Sequence, residues 1–145
     1  MSDSIILVDV GGTHIRFSIF QENGITSPVQ WCISEFDDFS TAVKKFLANK
    51  KITFSGMIIG AAGIRMKNSI QLTNYTWLID ADKIKSDFSL QYVTLVNDFS
   101  LQGWGLLACS DKYHTHLGQY VKPQKGTCAV IGSGTGLGCL FFNGK

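Results

Sequence analysis

The chain has 145 residues, 45% of them apolar and 17% charged, and a formal net charge of +2. That is enough to bury a sizeable core, and there is no charge excess that would point to nucleic acid or a membrane surface. No apolar run approaches the length of a membrane span, and Met1-Ser-Asp-Ser4 lacks the basic start of a signal peptide.

The first predicted element is a hairpin over residues 5–20. Ile6-Leu-Val-Asp-Val-Gly-Gly-Thr13 runs an apolar strand into two glycines and a threonine, and Ile15-Arg-Phe-Ser-Ile-Phe20 then alternates with period two. A strand near Val29 to Ser34 follows. Next comes a helix over 38–49, whose apolar stripe is Phe39, Ala42, Val43, Phe46 and Leu47 and whose Lys44, Lys45, Lys50 and Lys51 form a solvated face. Gly56 to Ala62 reads as a strand, Lys67-Asn68 as a turn, 80–87 as a helix, 92–97 as a buried strand and 99–109 as an apolar helix. His114 and His116 lie in a polar stretch without other nearby ligands and read as a surface loop. From Thr127 the opening pattern recurs, with an apolar run entering Gly132-Ser-Gly-Thr-Gly-Leu-Gly138 and resuming at Cys139 to Phe142. Cys32, Cys109, Cys128 and Cys139 contain no C-x-x-C pair and sit in apolar segments, which predicts small buried hydrophobes in a reducing compartment.

Two glycine-threonine turns could grip one phosphate chain, because glycine permits φ > 0 and lets amide N–H groups approach an anion, and the threonine hydroxyl adds a donor. Neither turn has the Gly-Lys-Ser/Thr ending of a P-loop or the G-x-G-x-x-G spacing, and neither leads into a helix. A plain hairpin turn explains Gly11-Gly12 equally well. Asp9 argues for the functional reading, since a carboxylate inside an apolar strand would be desolvated unless needed, and one beside a phosphate turn suits hydrated Mg²⁺. Asn97 and Asp98 stand at a strand's carboxyl end, where ligands bind in open α/β sheets, although Asp98 could equally cap the next helix. Asn74 in Leu72-Thr-Asn-Tyr-Thr-Trp77 reads by itself as an ordinary Asx turn.

Asp9-Val-Gly-Gly-Thr13, Leu72 to Trp77, Asn97-Asp-Phe99 and Gly132 to Gly138 occur in the order and approximate spacing of the bacterial glucokinase family, within the actin, Hsp70 and sugar-kinase superfamily, which the chain resembles over nearly its whole length. The resemblance implies an α/β, ribonuclease-H-like (actin-like ATPase) domain with a mixed sheet flanked by helices, plus the first hairpin of a second such domain. The corresponding divisions are a small domain over 1–110, a linker over 111–126 and the start of a large domain over 127–145. It further implies ATP-dependent phosphorylation of a hexose, most simply glucose, in the cytoplasm, with a homodimer for the full-length protein. Asp98 would be the catalytic base. Asp9, Val10, Gly11, Gly12 and Thr13, with Gly132, Gly134, Thr135 and Gly136, would hold the nucleotide phosphates, and Asp9 would hold Mg²⁺ through water. Asn74, Asn97 and Asp98 would line the sugar pocket. His14 and Gly63 depart from the family pattern, and Ser100-Leu-Gln-Gly-Trp-Gly105 lacks the Glu of the ROK branch. A non-catalytic sugar- or nucleotide-binding relative is the alternative, as is a portion inactive by itself, because the family's later sugar-binding and adenosine-pocket elements have no counterpart in these residues.

Overall fold

Alternation organises the first sheet. In β1 (Ser4–Val10) every second residue, Ser4, Ile6, Val8 and Val10, is buried, and in β2 (His14–Gln21) so are Ile15, Phe17 and Ile19. The two strands pair antiparallel with Val10 opposite Ile15 and Ile6 opposite Ile19, so their apolar sets share one face, as the period-two side-chain geometry requires. The computed structural model describes residues 4–115, 117–119, 126–133 and 137–143. Residues 1–3, His116, Gly134, Thr135 and Gly136, all singled out in the sequence, lie outside them.

The chain divides into two compact units, Met1–Asp98 and Phe99–Lys145. In the first, β3 (Gly24–Ile25) and β4 (Val29–Cys32) both pair with β2, and β5 (Phe54–Ala61) and β9 (Tyr92–Asn97) extend the sheet in parallel on the other side of β1. The strand order is β3-β2-β1-β5-β9, with β4 branching from β2. Between β4 and β5 lies α1 (Phe39–Leu47), whose buried residues Phe39, Ala42, Val43 and Phe46 are the expected stripe. Phe46 stacks on Phe17 with ring centroids 4.7 Å apart, joining helix to sheet. Lys44 and Lys45 on α1 are exposed, with Lys45 spanning Glu35 and lying over the Trp31 and Phe36 rings, whereas Lys50 and Lys51 lie beyond the end of the helix and Lys50 is half-buried with its ammonium over the Phe46 ring.

Besides the two-residue β3, three strands were not foreseen: β6 (Gly63–Met66), β7 (Ser69–Leu72) and β8 (Leu78–Asp80) form an antiparallel meander that leads into α2 (Ala81–Asp87). They are three or four residues long, and only Ile70, Leu72 and Ile79 bury apolar side chains, too few for a period to register. Gly63 has a local reason here. A methyl group at 63 would collide with the Gln71 carbonyl and the Ile70 side chain, so the β6–β7 crossing demands its absence.

In the second unit, α3 (Asp98–Ala108) is followed by the hairpin β10 (Thr127–Ser133) and β11 (Leu137–Asn143). Gly132 lies opposite Gly138, and a methyl group on either would overlap the Phe99 ring; one on Gly103 would overlap Leu140. The alternate face of the hairpin is open, with Ile131, Leu137 and Phe141 exposed by 67%, 78% and 69%.

The cysteines correct the expectation of burial. Cys32, Cys109 and Cys139 are exposed, Cys128 is half-buried, and all are free thiols. Cys32 follows inward-facing Trp31 on the branch strand, Cys139 is on the open hairpin face and Cys109 lies just beyond α3, so an apolar neighbourhood in sequence was not a buried one in space.

Two predictions follow from this packing. Asp38 caps α1 by accepting the Thr41 N–H at 2.7 Å, and that amide holds its carboxyl below the usual carboxylate range. The Asp38→Ala change is expected to cost about 1 kcal/mol in a denaturant titration. Because the folded value is the depressed one, the cap's pH-dependent contribution is present above about pH 4 and is lost as pH falls below it. The Gly138→Ala change is expected to destabilise the hairpin by about 1–3 kcal/mol through overpacking, and Phe99→Leu in the same chain should recover part of the loss in the melting temperature.

Candidate functional site at the carboxyl ends of three strands

The parallel register places three loops side by side. Val10 of β1 aligns with Ala61 of β5, and Ala61 with Asn97 of β9; one step earlier, Asp9 aligns with Gly60 and Gly60 with Val96. At roughly 4.8 Å per strand spacing, the backbone at Asp9–Val10 lies about 10 Å from that at Val96–Asn97. The Gly11-Gly12-Thr13 turn leaves the first of these ends, and Asp98 follows the last as the first residue of α3. Asn97 and Asp98 are half-buried.

The turn is pinned from three sides. Gly11 N–H donates to the His14 carbonyl at 3.0 Å, Ile33 N–H donates to the Thr13 carbonyl at 3.0 Å, and Ala62 N–H donates to the Val10 carbonyl at 3.1 Å. The Gly11 amide is therefore spent, whereas those of Gly12 and Thr13 donate to nothing among the described residues. The reason for glycine also differs from the expected one. Gly11 has an ordinary φ, and a methyl group there would touch only the His14 carbonyl at 3.6 Å, a normal contact. Neither strain nor packing requires Gly11, which leaves open approach from outside as the property that its missing side chain provides.

Asp9 corrects a second expectation. It lies not in the core but on the opposite face of β1 from Ile6, Val8 and Val10, with its side chain 50% exposed. Its Oδ2 accepts from Arg16 Nη1 at 2.7 Å, and Arg16 Nε donates to Gln30 Oε1 at 2.7 Å. Arg16 is the residue that sequence reasoning missed, although the hairpin register that puts it directly across from Asp9 was legible. The other oxygen, Oδ1, accepts no hydrogen bond among the described residues. An exposed carboxylate with one free oxygen beside two free amides fits a Mg²⁺ that keeps most of its waters and shares phosphate oxygens. No group of three or more ligating side chains occurs among the described residues, so a tight all-protein metal cage is not what this arrangement offers.

In the second glycine-rich segment, Gly132 turns its bare Cα toward Phe99, so its lack of a side chain serves packing. Asn74 is exposed in the 73–77 connection between β7 and β8, which Leu72 N–H closes by donating to the Trp77 carbonyl at 3.0 Å, with Gln71 Nε2 donating to the Tyr75 and Trp77 carbonyls.

The glucokinase family model matches residues 6–143. The chain belongs to the glucokinase family. It is 29% identical over 146 residues to a glucokinase-like protein of Xylella fastidiosa (strain 9a5c), an alignment covering 96% of this chain and 44% of that protein. It is 31% identical over 142 residues to a glucokinase of Nostoc punctiforme, covering 92% of this chain and 41% of that one. The chain thus spans less than half the length of these curated relatives. Among solved structures, the glucokinase from an Antarctic psychrotroph superposes with a TM-score of 0.79 at 23% identity, over 97% of this chain and 46% of its own. The fold is accordingly the actin-like ATPase fold of the sugar kinases.

A prediction comes from the turn. Because position 11 has an unstrained φ and room for a methyl group, Gly11→Ala is expected to leave thermal stability unchanged or raise it by about 0.4–1 kcal/mol.

Proposed function

We propose that this chain is the part of a hexose kinase, with glucose as its substrate, that carries the catalytic base and the first phosphate turn. The single observation that carries the reading is the alignment of three strand ends: the backbone at Asp9–Val10, from which the Gly11-Gly12-Thr13 turn leaves, lies about 10 Å from the backbone at Val96–Asn97 that leads into Asp98. Membership of the glucokinase family supports it.

In this reading the Gly12 and Thr13 N–H groups and the Thr13 hydroxyl hold phosphate oxygens of ATP at the turn that follows Val10. Gly132, Gly134, Thr135 and Gly136 form the second phosphate loop. Asp9, kept in place by Arg16, holds Mg²⁺ through water, and the ion supplies charge neutralisation on the phosphates. Asn97 and Asn74 fix sugar hydroxyls, since an amide both donates and accepts. Asp98 accepts the proton of the attacking hydroxyl as its oxygen bonds to the γ-phosphorus and the bond to the β-bridging oxygen breaks, releasing ADP. Such a base contributes about 10²–10⁴-fold. The protein works in the cytoplasm, and the whole enzyme is a homodimer.

The test is ADP release from ATP, Mg²⁺ and a panel of hexoses, run on this chain and on the chain extended to the length of its relatives. Turnover in the extended protein that falls by about 10²-fold or more in kcat for Asp98→Asn, with KM for sugar little changed, is the expected result. Equal activity of Asp98→Asn and the parent would overturn the assignment of the base. Sugar binding without turnover in either chain would leave a non-catalytic sugar-binding protein.

A further inference from the structure

A second polar site lies away from the strand ends. The β6–β7 turn, one face of α2 and the first half of β9 enclose a cleft of about 280 Å³. Its walls carry Arg65, Lys67 and Lys85 with Asn68, Tyr92 and Thr94, and the one carboxylate among its lining residues is Asp82. Three cations against one anion make a local excess as large as the +2 of the entire chain.

How the neighbouring charges are committed sharpens the point. Asp82 Oδ2 accepts from Asn68 Nδ2 at 3.1 Å and makes no ion pair with Lys85 one turn along α2. Lys83, on the same helix, is paired with Asp87. Asp80 accepts the Lys83 backbone N–H at 2.9 Å as the α2 cap. Arg65, Lys67 and Lys85 thus have no salt-bridge partner among the described residues, while the carboxylates near them are engaged elsewhere.

Lys67 provides an independent observation. It sits in the tight turn between β6 and β7 with φ of 45°, a left-handed conformation that glycine or asparagine adopts with little strain and lysine does not. The chain accepts that strain at a position whose side chain lines the cleft, and strain of this kind clusters where a side chain has a role.

We propose that this cleft is a binding site for a small phosphate-bearing anion, separate from the nucleotide turn. The guanidinium of Arg65 presents a planar fork of donors, the two ammonium groups add charge-assisted hydrogen bonds, and the Thr94 hydroxyl supplies a neutral one. The volume lies at the small end of ligand sites, which suits inorganic phosphate or a compact phosphomonoester and not a nucleotide. The site is distinct from the strand ends: at ~3.3 Å per residue, Thr94 is roughly 13 Å along β9 from Asp98. An occupant would grip the same strand whose far end leads into the proposed base.

Amide resonances of the isotopically labelled chain, titrated separately with inorganic phosphate and with glycerol phosphate, test the proposal. Saturable shifts at Lys67, Asn68, Lys85 and Thr94, weakened about tenfold or more in the double variant Lys67→Gly and Lys85→Ser, are expected. Tighter binding of the ester would identify a phosphorylated metabolite as the occupant, and equal binding would identify free phosphate. Shifts confined to Gly12 and Thr13, shifts reproduced by sodium chloride at matched ionic strength, or shifts unaltered in the double variant would overturn it. Lys67→Gly relieves the strained turn, so a melting temperature no lower than the parent's is the accompanying control. The nucleotide reading is judged on Gly12 and Thr13 alone, so either proposal can fail while the other stands.

Discussion

The parallel hydrogen-bonded register of β1, β5 and β9 is the constraint on which the rest depends. A parallel strand cannot be joined to its neighbour by a tight turn, so every connection must leave at one end and return to the other. All three strands consequently release their loops at the same edge, and the chemistry-bearing residues of Asp9 to Thr13 and of Asn97-Asp98 are collected there although more than 80 positions separate them in sequence. A slip of one residue in any pair would exchange the two faces of that strand and send Asp9 or Asn97 to the wrong side. The burial of Ile6, Val8, Val10, Met57, Ile59, Ala61 and Leu95 on one face is therefore what holds the site in register. Core and site are specified by the same alternation.

The glycines divide by purpose. Gly63, Gly103, Gly132 and Gly138 stand where another group presses against the backbone, and their loss would be felt by the fold. Gly11 has an ordinary φ and room for a methyl group at normal contact with the His14 carbonyl, so the fold does not require its missing side chain. In the hairpin of the second unit, Phe99 occupies the ground between two facing glycines, so the aromatic residue of Asn97-Asp-Phe99 is also a structural peg for the Gly132 to Gly138 segment. Phe99 and the two glycines, read in separate motifs in the sequence, are thereby packed together within the second unit.

Much of this was legible from residue order. The opening hairpin, α1 with its apolar stripe and the α2 and α3 segments follow from periodicity, because each is long enough for its period to show; the strand before Asn97 was also legible, but it is an edge strand with only Leu95 buried and not the buried strand expected. The meander β6-β7-β8 was hidden since strands of three and four residues carry one or two apolar side chains each. Asp9 was misjudged for a related reason. A strand with apolar residues on both faces reads as buried throughout, whereas Ile5, Leu7 and Asp9 occupy a face that is only half covered. The cysteines failed in the same way, and the partnership of Asp9 with Arg16 depended on a register that sequence spacing implies but does not announce.

That ion pair bears on how an ionic ligand would arrive. The guanidinium of Arg16 stands as a resident counter-ion, orienting the Asp9 carboxylate before anything else reaches it. An incoming divalent ion meets a carboxylate already aimed, and it forgoes little by sharing it, because an exposed pair of this kind contributes about 0–1 kcal/mol. Displacing the guanidinium altogether would weaken cation affinity by about fivefold at most. Added salt screens both the pair and the attraction of the carboxylate for an incoming cation, so the hairpin carries its own ionic-strength dependence at the point where the phosphates are proposed to sit.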